Sequence, residues 1–146
     1  MPHARSSYLP LLVLLGVLLP PASSAAASTS DDMLNAVNRV RAAHHLRPLR
    51  PSASLSRSSY SYARYLMRSD RFAHAGSIPG FRRAAEILEH HTGRAATVEA
   101  TLRRWLSSPA HRAILLRPSF RYLGVGLTTG TFVGRRASIW VGRLAS

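Results

Sequence analysis

The sequence predicts an α+β fold in which helices cover one antiparallel sheet. Apolar residues recur at helical spacing through most of the chain, and after Arg121 they alternate with a period of two. The chain has 146 residues and no cysteine. One domain is therefore expected, and packing without disulfides holds its core together.

The N-terminal segment has the layout of a secretory signal peptide. An apolar run at residues 9–19 follows Arg5, ends at Pro20 and precedes alanines at 25–27 that fit a small-residue cleavage site. The run is too short to span a bilayer, and no later apolar run is long enough to do so. We therefore expect a secreted protein with three segments: a cleaved signal peptide at 1–27, a short polar lead at 28–33 and one domain at 34–146.

Two helices are expected at the start of the domain. Ser30 is suited to cap the first, with two aspartates in its first turn. This helix should end near Leu46, because Pro48 disfavours its continuation. Ser52 is the expected cap of the second helix, and residues 47–51 are expected to form an irregular link between the two.

The remaining elements are a short strand, two helices and a hairpin. Residues 84–90 form the expected buried strand, and Thr97 is suited to cap a third helix that carries Trp105 on its apolar face. A Ser-Pro pair at 108–109 indicates the start of a short fourth helix. Beyond it, alternating apolar residues predict two strands that are joined by a hairpin loop at 130–134.

The composition is strongly basic, with 20 arginines, no lysine and a formal net charge of +14. In an exported protein, such a charge favours polyanions, among them cell-wall polymers and anionic lipid headgroups. The arginines are scattered, are not interleaved with aromatic residues in any run and belong to no nucleic-acid-binding motif. We expect a monomer with a loose affinity for anions, no specific nucleic-acid partner and no membrane span.

Three residues from distant segments are candidates for chemistry: His74, Glu86 and His111. His74 lies in an irregular loop at 72–81, and Glu86 is flanked by apolar residues, so its carboxylate should be buried or lie at a cleft and needs a partner. Imidazoles are suitable partners, and a divalent metal ion could join all three side chains. The spacing matches no metal motif, and the alternative is a structural ion pair with surface histidines.

Other catalytic arrangements have less support in the sequence. No nucleophile is evident, because the chain has no cysteine and no G-x-S-x-G turn, and Ser108 is explained as a helix cap. Glu86 and Glu89 should point to opposite faces of a strand, so they do not form a carboxylate pair. The histidines at 44–45 are expected at a helix end, and those at 90–91 in a solvated loop.

The order of the segments points to a family. They follow one another as Phe72-x-His74, Ala85-Glu86-Ile87-Leu88, Trp105-x-x-Ser108-Pro109-x-His111-Arg112 and Leu123-Gly124-Val125-Gly126. In this order the chain resembles the bacterial branch of the CAP superfamily, the cysteine-rich secretory, antigen 5 and pathogenesis-related proteins with SCP-like domains. The resemblance covers residues 34–144.

The resemblance implies a three-layer α-β-α sandwich with a central antiparallel sheet and a surface cleft. In the family, two histidines and two glutamates line the cleft, and in some members they hold zinc or another divalent ion. His74, Glu86 and His111 stand at three of these four positions, and Ser108 stands where eukaryotic members have the second glutamate. The resemblance thus implies that no metal is required, and that zinc held by these residues would bind with modest affinity.

Three functions follow from these observations. The favoured one is a secreted, non-catalytic binding module whose cleft, formed by His74, Glu86, Ser108 and His111, takes a lipid, a peptide or a cell-wall component. The second is a divalent-metal-dependent hydrolase, with His74 and His111 as ligands and Glu86 as third ligand or general base. The third is a general polyanion binder driven by arginine charge.

Overall fold

A computed structural model describes residues 22–93 and 96–146 of the chain. Most of the predicted signal peptide, residues 1–21, lies outside the described residues, and its cleavage stays a prediction. None of the described helices combines the length and the apolar character that a bilayer crossing requires. The elements are α1 (Ala22–Ala43), β1 (Arg50–Pro51), α2 (Ala53–Ser69), β2 (Ala84–Thr92), α3 (Val98–Ser107), α4 (Pro109–Leu115), β3 (Tyr122–Phe132) and β4 (Arg135–Ala145).

The strands form one sheet in the order β1-β3-β4-β2. β4 pairs antiparallel with β3 on one side and with β2 on the other, which confirms the predicted antiparallel sheet. The turn between β3 and β4 places Val133 at φ 48° and Gly134 at φ 72°, and positive φ at both positions is typical of a type I′ hairpin. The two-residue strand β1 pairs parallel with β3, within the segment that was expected to be only a link.

Helices cover both faces of the sheet, so the molecule has three layers. One face, which we call the α3 face, packs against α1, α3 and α4 around the buried Trp105 and Trp140. The other, the α2 face, packs against α2 around Leu66, Ile139 and Val141. The α-β-α sandwich is therefore confirmed, and Trp105, with no exposed surface, is the core residue that its helical position predicted.

Two glycines allow α2 to lie directly on β3. A Cβ atom on Gly124 would collide with the backbone of Leu55 and Ser56, and one on Gly126 would collide with the backbone of Ser59 and Tyr60. The alternation of glycine with apolar residues in β3 thus has a specific cause, because only the α2 face of this strand requires residues without side chains.

The start of α1 differs from the prediction. The helix begins at Ala22, inside the predicted signal peptide, so Ser30 lies within it and does not cap it. The residues before Ser30 are mostly alanine and serine, and alanine has the highest helix propensity. The hydroxyl of Ser30 instead contacts the hydroxyl of Ser56 at 3.2 Å and accepts a hydrogen bond from the backbone N–H of Val125 at 3.4 Å.

The other helices start where local signals predicted. The Ser52 hydroxyl accepts a hydrogen bond from the backbone N–H of Leu55 at 3.4 Å, and the Thr97 hydroxyl accepts one from that of Ala100 at 3.2 Å. Ser108 stands at the N-cap position of α4, as expected, but its side chain makes no capping hydrogen bond to the described residues. Its half-buried hydroxyl therefore has no capping role.

Candidate functional site

Strand β2 places Glu86 on the α2 face of the sheet, directly opposite Arg143 of β4. Both side chains are 5% exposed. The Glu86 Oε2 atom accepts hydrogen bonds from Nε of Arg143 at 2.9 Å and from its Nη2 at 2.8 Å. The buried carboxylate that needed a partner therefore has one, and the antiparallel register supplies it.

The second oxygen of Glu86 holds the loop that follows α2. Oε1 lies 3.1 Å from Nδ1 of His74 and accepts a hydrogen bond from the backbone N–H of Ala75 at 2.9 Å. The His74 side chain is 59% exposed, so its ring lies at the surface above the buried carboxylate. Glu86 thus connects the loop at His74 to the last strand of the sheet.

Tyr62 of α2 completes the surroundings of Arg143. The guanidinium carbon lies 5.0 Å from the centroid of the Tyr62 ring, a cation–π contact. The Tyr62 hydroxyl donates a hydrogen bond to the carbonyl oxygen of Ala73 at 2.8 Å. Burial raises the pKa of Tyr62, and the Glu86 carboxylate adds to the rise, so the hydroxyl stays protonated and remains a donor to the loop.

His111 lies on α4. Its Nδ1 atom is buried and has no hydrogen-bond partner among the described residues. Burial lowers the pKa of His111, His74 lowers it further, and Glu89 opposes the shift. In the described part of the chain, no hydrogen bond joins His111 to His74 or Glu86, and no three His, Asp or Glu side chains are grouped closely enough to hold a metal ion.

Glu89 forms a second ion pair, on the α3 face. Its Oε1 lies 2.9 Å from Nε of Arg104, whose side chain is 60% exposed, and it also accepts a hydrogen bond from the backbone N–H of His90 at 3.2 Å. The two carboxylates of β2 have different arginine partners on opposite faces of the sheet, so the expectation that they form no pair with each other is correct.

The histidines at 90–91 lie in β2, so the expected solvated loop was wrong. β2 continues to Thr92 because its pairing with β4 extends that far. The His90 ring packs against that of Phe132, with 5.8 Å between centroids. Nε2 of His91 lies 3.2 Å from the Thr101 hydroxyl, and burial lowers the pKa of His91.

The groups around Glu86 do not fit a divalent cation in this arrangement. Both carboxylate oxygens already accept hydrogen bonds, and Arg143 holds a fixed positive charge 2.8 Å from Oε2. A metal ion bound by Glu86 would have to displace a buried guanidinium and leave it without a partner. The metal role of His74, Glu86 and His111 stays a prediction that this geometry does not favour.

Sequence reasoning missed Arg143, which lies in a strand whose residues 137–145 are all buried. The available signal was an arginine within an apolar strand, in a chain that also contains a glutamate in an apolar strand. Two buried opposite charges favour each other as partners. What the sequence did not show is the register that places them on the same face.

The chain is similar to known proteins both in a family pattern and in fold. A family model described as the cysteine-rich secretory protein family, CAP, matches residues 34–142. An outer surface protein of Borrelia burgdorferi has 18% identity and a TM-score of 0.65, over 80% of this chain and 90% of that one. An extracellular protein of Bacillus anthracis that contains an SCP domain has 19% identity and a TM-score of 0.67, over 89% of this chain and 45% of that one.

A eukaryotic structure is similar as well. The venom allergen-like protein 4 of Schistosoma mansoni has 12% identity and a TM-score of 0.64, over 80% of this chain and 87% of that one. No curated protein gives a significant match. At these identities the solved structures show a common fold.

Proposed function

Because the chain belongs to the CAP family of cysteine-rich secretory proteins, we propose that it is a secreted, non-catalytic binding module. The ligand binds at the surface around His74, on the loop that the buried Glu86–Arg143 pair holds in place. One observation carries this proposal: the two oxygens of Glu86 accept hydrogen bonds from Arg143, His74 and the Ala75 N–H. A carboxylate engaged in this way positions a loop and is not free to accept a proton from a substrate.

Two observations support secretion. The segment at 1–27 has the order of a signal peptide, with a short apolar run and a small-residue cleavage site. The similar Bacillus anthracis protein is described as extracellular and the Borrelia burgdorferi protein as an outer surface protein. The formal net charge of the chain is +14, and removal of residues 1–27, which contain one arginine and no acidic residue, leaves +13. An exported chain with this charge meets anionic cell-wall polymers and lipid headgroups, which makes these the favoured ligands.

One observation favours the second candidate, a metal-dependent hydrolase that uses His74, His111 and Glu86. Nδ1 of His111 is buried without a partner in the described part of the chain, and a bound ion would satisfy it. This function requires Glu86 to leave Arg143 and His111 to approach His74. The cost of unpairing a buried arginine places it second.

A binding screen with product analysis separates the two candidates. The purified protein is exposed to arrayed glycans, lipids and peptides, and recovered ligand is examined by mass spectrometry with and without a chelator. The binding module predicts saturable binding of unchanged ligand that a chelator does not affect and that His74→Ala weakens. His44→Ala, at an exposed histidine after α1, is the matched control. Fragments whose release stops with the chelator and in His111→Ala would establish the hydrolase instead.

A further inference from the structure

An open groove of about 610 Å³ lies between α2 and the loop segment 75–79, next to the Glu86–Arg143 pair. Most of one wall is a stripe of α2 residues at helical spacing, and Arg143 is also part of the lining. Four serines and two tyrosines supply hydroxyl groups, and no acidic residue is among the described residues that line the groove. Its surface therefore offers many hydrogen-bonding groups and no negative charge.

The aromatic part of the groove consists of two stacked tyrosines. The rings of Tyr62 and Tyr65 have centroids 5.8 Å apart and planes inclined by 19°. Tyr62 is fixed by its hydrogen bond to Ala73, whereas Tyr65 is 48% exposed. An exposed ring supported from behind by another ring is a rigid apolar surface with a polar tip, which suits ligands with both apolar faces and hydroxyl groups.

The charge available to a ligand comes from Arg57. Arg143 also lines the groove, but Glu86 already balances its charge. Arg57 is exposed, and α2 contains two further arginines, Arg64 and Arg68, and no acidic residue. The groove thus combines one unbalanced guanidinium with hydroxyl groups and an aromatic face, and guanidinium groups bind carboxylates and phosphates with directed hydrogen bonds.

We propose that this groove binds an acidic glycan, a chain of sugar rings that carries carboxylate or phosphate groups. The inference rests on the proposed function, since it names the ligand class of the binding module and the wall that recognises it. The ring face stacks on Tyr65, the serine hydroxyls bond to the sugar hydroxyls and Arg57 binds the acidic group. A lipid acyl chain is disfavoured because the groove is open and rich in hydroxyl groups.

Calorimetry with two probes, tetragalacturonate and a mannopentaose phosphate, tests the proposal at physiological salt. The matched neutral oligosaccharides serve as ligand controls. Arg57→Gln and Tyr65→Ala should each weaken binding of the acidic probe about tenfold. Arg68→Gln and Tyr60→Ala, at exposed residues of the same helix outside the groove, should each change it less than about twofold. Thermal melts confirm that all four variants are folded.

Three results would overturn the inference. Equal losses in Arg57→Gln and Arg68→Gln, with duplex DNA or anionic vesicles bound as tightly as the glycan, would indicate binding by net charge alone. No binding of either acidic probe by the wild type would exclude the proposed ligand class. Probe binding that survives the groove variants but is lost in His74→Ala would leave the binding module intact and move its ligand away from this groove.

Discussion

Strand β2 carries two ion pairs, one on each face of the sheet, and they differ in burial. Glu86 and Arg143 are both 5% exposed, whereas the Arg104 partner of Glu89 is 60% exposed. In the second pair Glu89 is also buried, with 11% of its side chain exposed, but water reaches and screens Arg104, whereas water is excluded from both partners of the first pair. The same kind of ion pair should therefore contribute differently to stability on the two faces. The Glu86 pair fixes the position of a loop and a strand, and the Glu89 pair joins β2 to α3, a helix that packing already holds.

The largest expected effect is at the buried pair. Glu86→Leu leaves the Arg143 guanidinium buried without a counter-charge, and should lower the free energy of unfolding by about 3–5 kcal/mol. Urea denaturation at neutral pH measures it. The double variant Glu86→Leu with Arg143→Met removes both charges and should recover most of the loss, while a single-variant loss under about 1 kcal/mol would show that the pair is not desolvated.

On the α3 face, a loss of stability as large as that of Glu86→Leu is expected from a change in core packing. Trp105→Ala removes a fully buried indole and should cost about 3–5 kcal/mol in unfolding free energy. Thermal denaturation followed by circular dichroism measures this change. A melting temperature within about a degree of the wild type would mean that α3 does not depend on this core contact.

The Glu89–Arg104 pair, in which only the arginine is exposed, should contribute much less. Glu89→Gln is expected to change the free energy of unfolding by less than about 1 kcal/mol, because the Arg104 side chain that it leaves unpaired is 60% exposed and stays in water. The same urea titrations, repeated at high salt, should narrow this small difference further. A loss as large as that of Glu86→Leu would remove the distinction between the two faces.

The smallest effect is a pH dependence on the α3 face. Burial lowers the pKa of His91, so below its ordinary value of about 6.5 the unfolded chain binds a proton that the folded protein excludes. The free energy of unfolding should therefore fall as pH drops through this range, and the contribution is fully present above it. Urea titrations on both sides of about pH 6.5 measure this dependence, and His91→Gln should reduce the change in unfolding free energy with pH. An unchanged pH dependence in this variant would contradict the burial effect on His91.

Local signals in the sequence predicted much of the fold. Ser52 and Thr97 cap helices because each hydroxyl accepts a hydrogen bond from the backbone N–H three residues further along the chain. The alternation of apolar residues with other residues in β3 and β4 predicts the paired strands of the sheet. The predicted start of α1 at Ser30 was wrong. Ser30 is a suitable cap residue, but the residues before it favour a helix, so the helix begins earlier, at Ala22. β1 spans only two residues, too few for any period to appear.

The site was less predictable, because its contacts depend on register. The sequence indicated that Glu86 needs a partner, and the structure brings His74 to it as expected. Arg143 lies 57 positions away along the chain, and nothing local shows that the pairing of β4 with β2 will place it opposite Glu86. The open groove also depends on tertiary structure, because the α2 residues line a groove only where the 75–79 segment lies beside them.

The structural role of Glu86 is tested most directly by zinc calorimetry of the wild type, His74→Ala and His111→Ala. If Arg143 occupies the carboxylate, all three proteins should give the same weak heats at about pH 5.5 and about pH 7.5. A single tight site in the wild type, stronger at the higher pH and lost in both variants, would contradict this role. His74 and His111 would then hold a metal ion next to Glu86, and the metal-dependent hydrolase would become the favoured function.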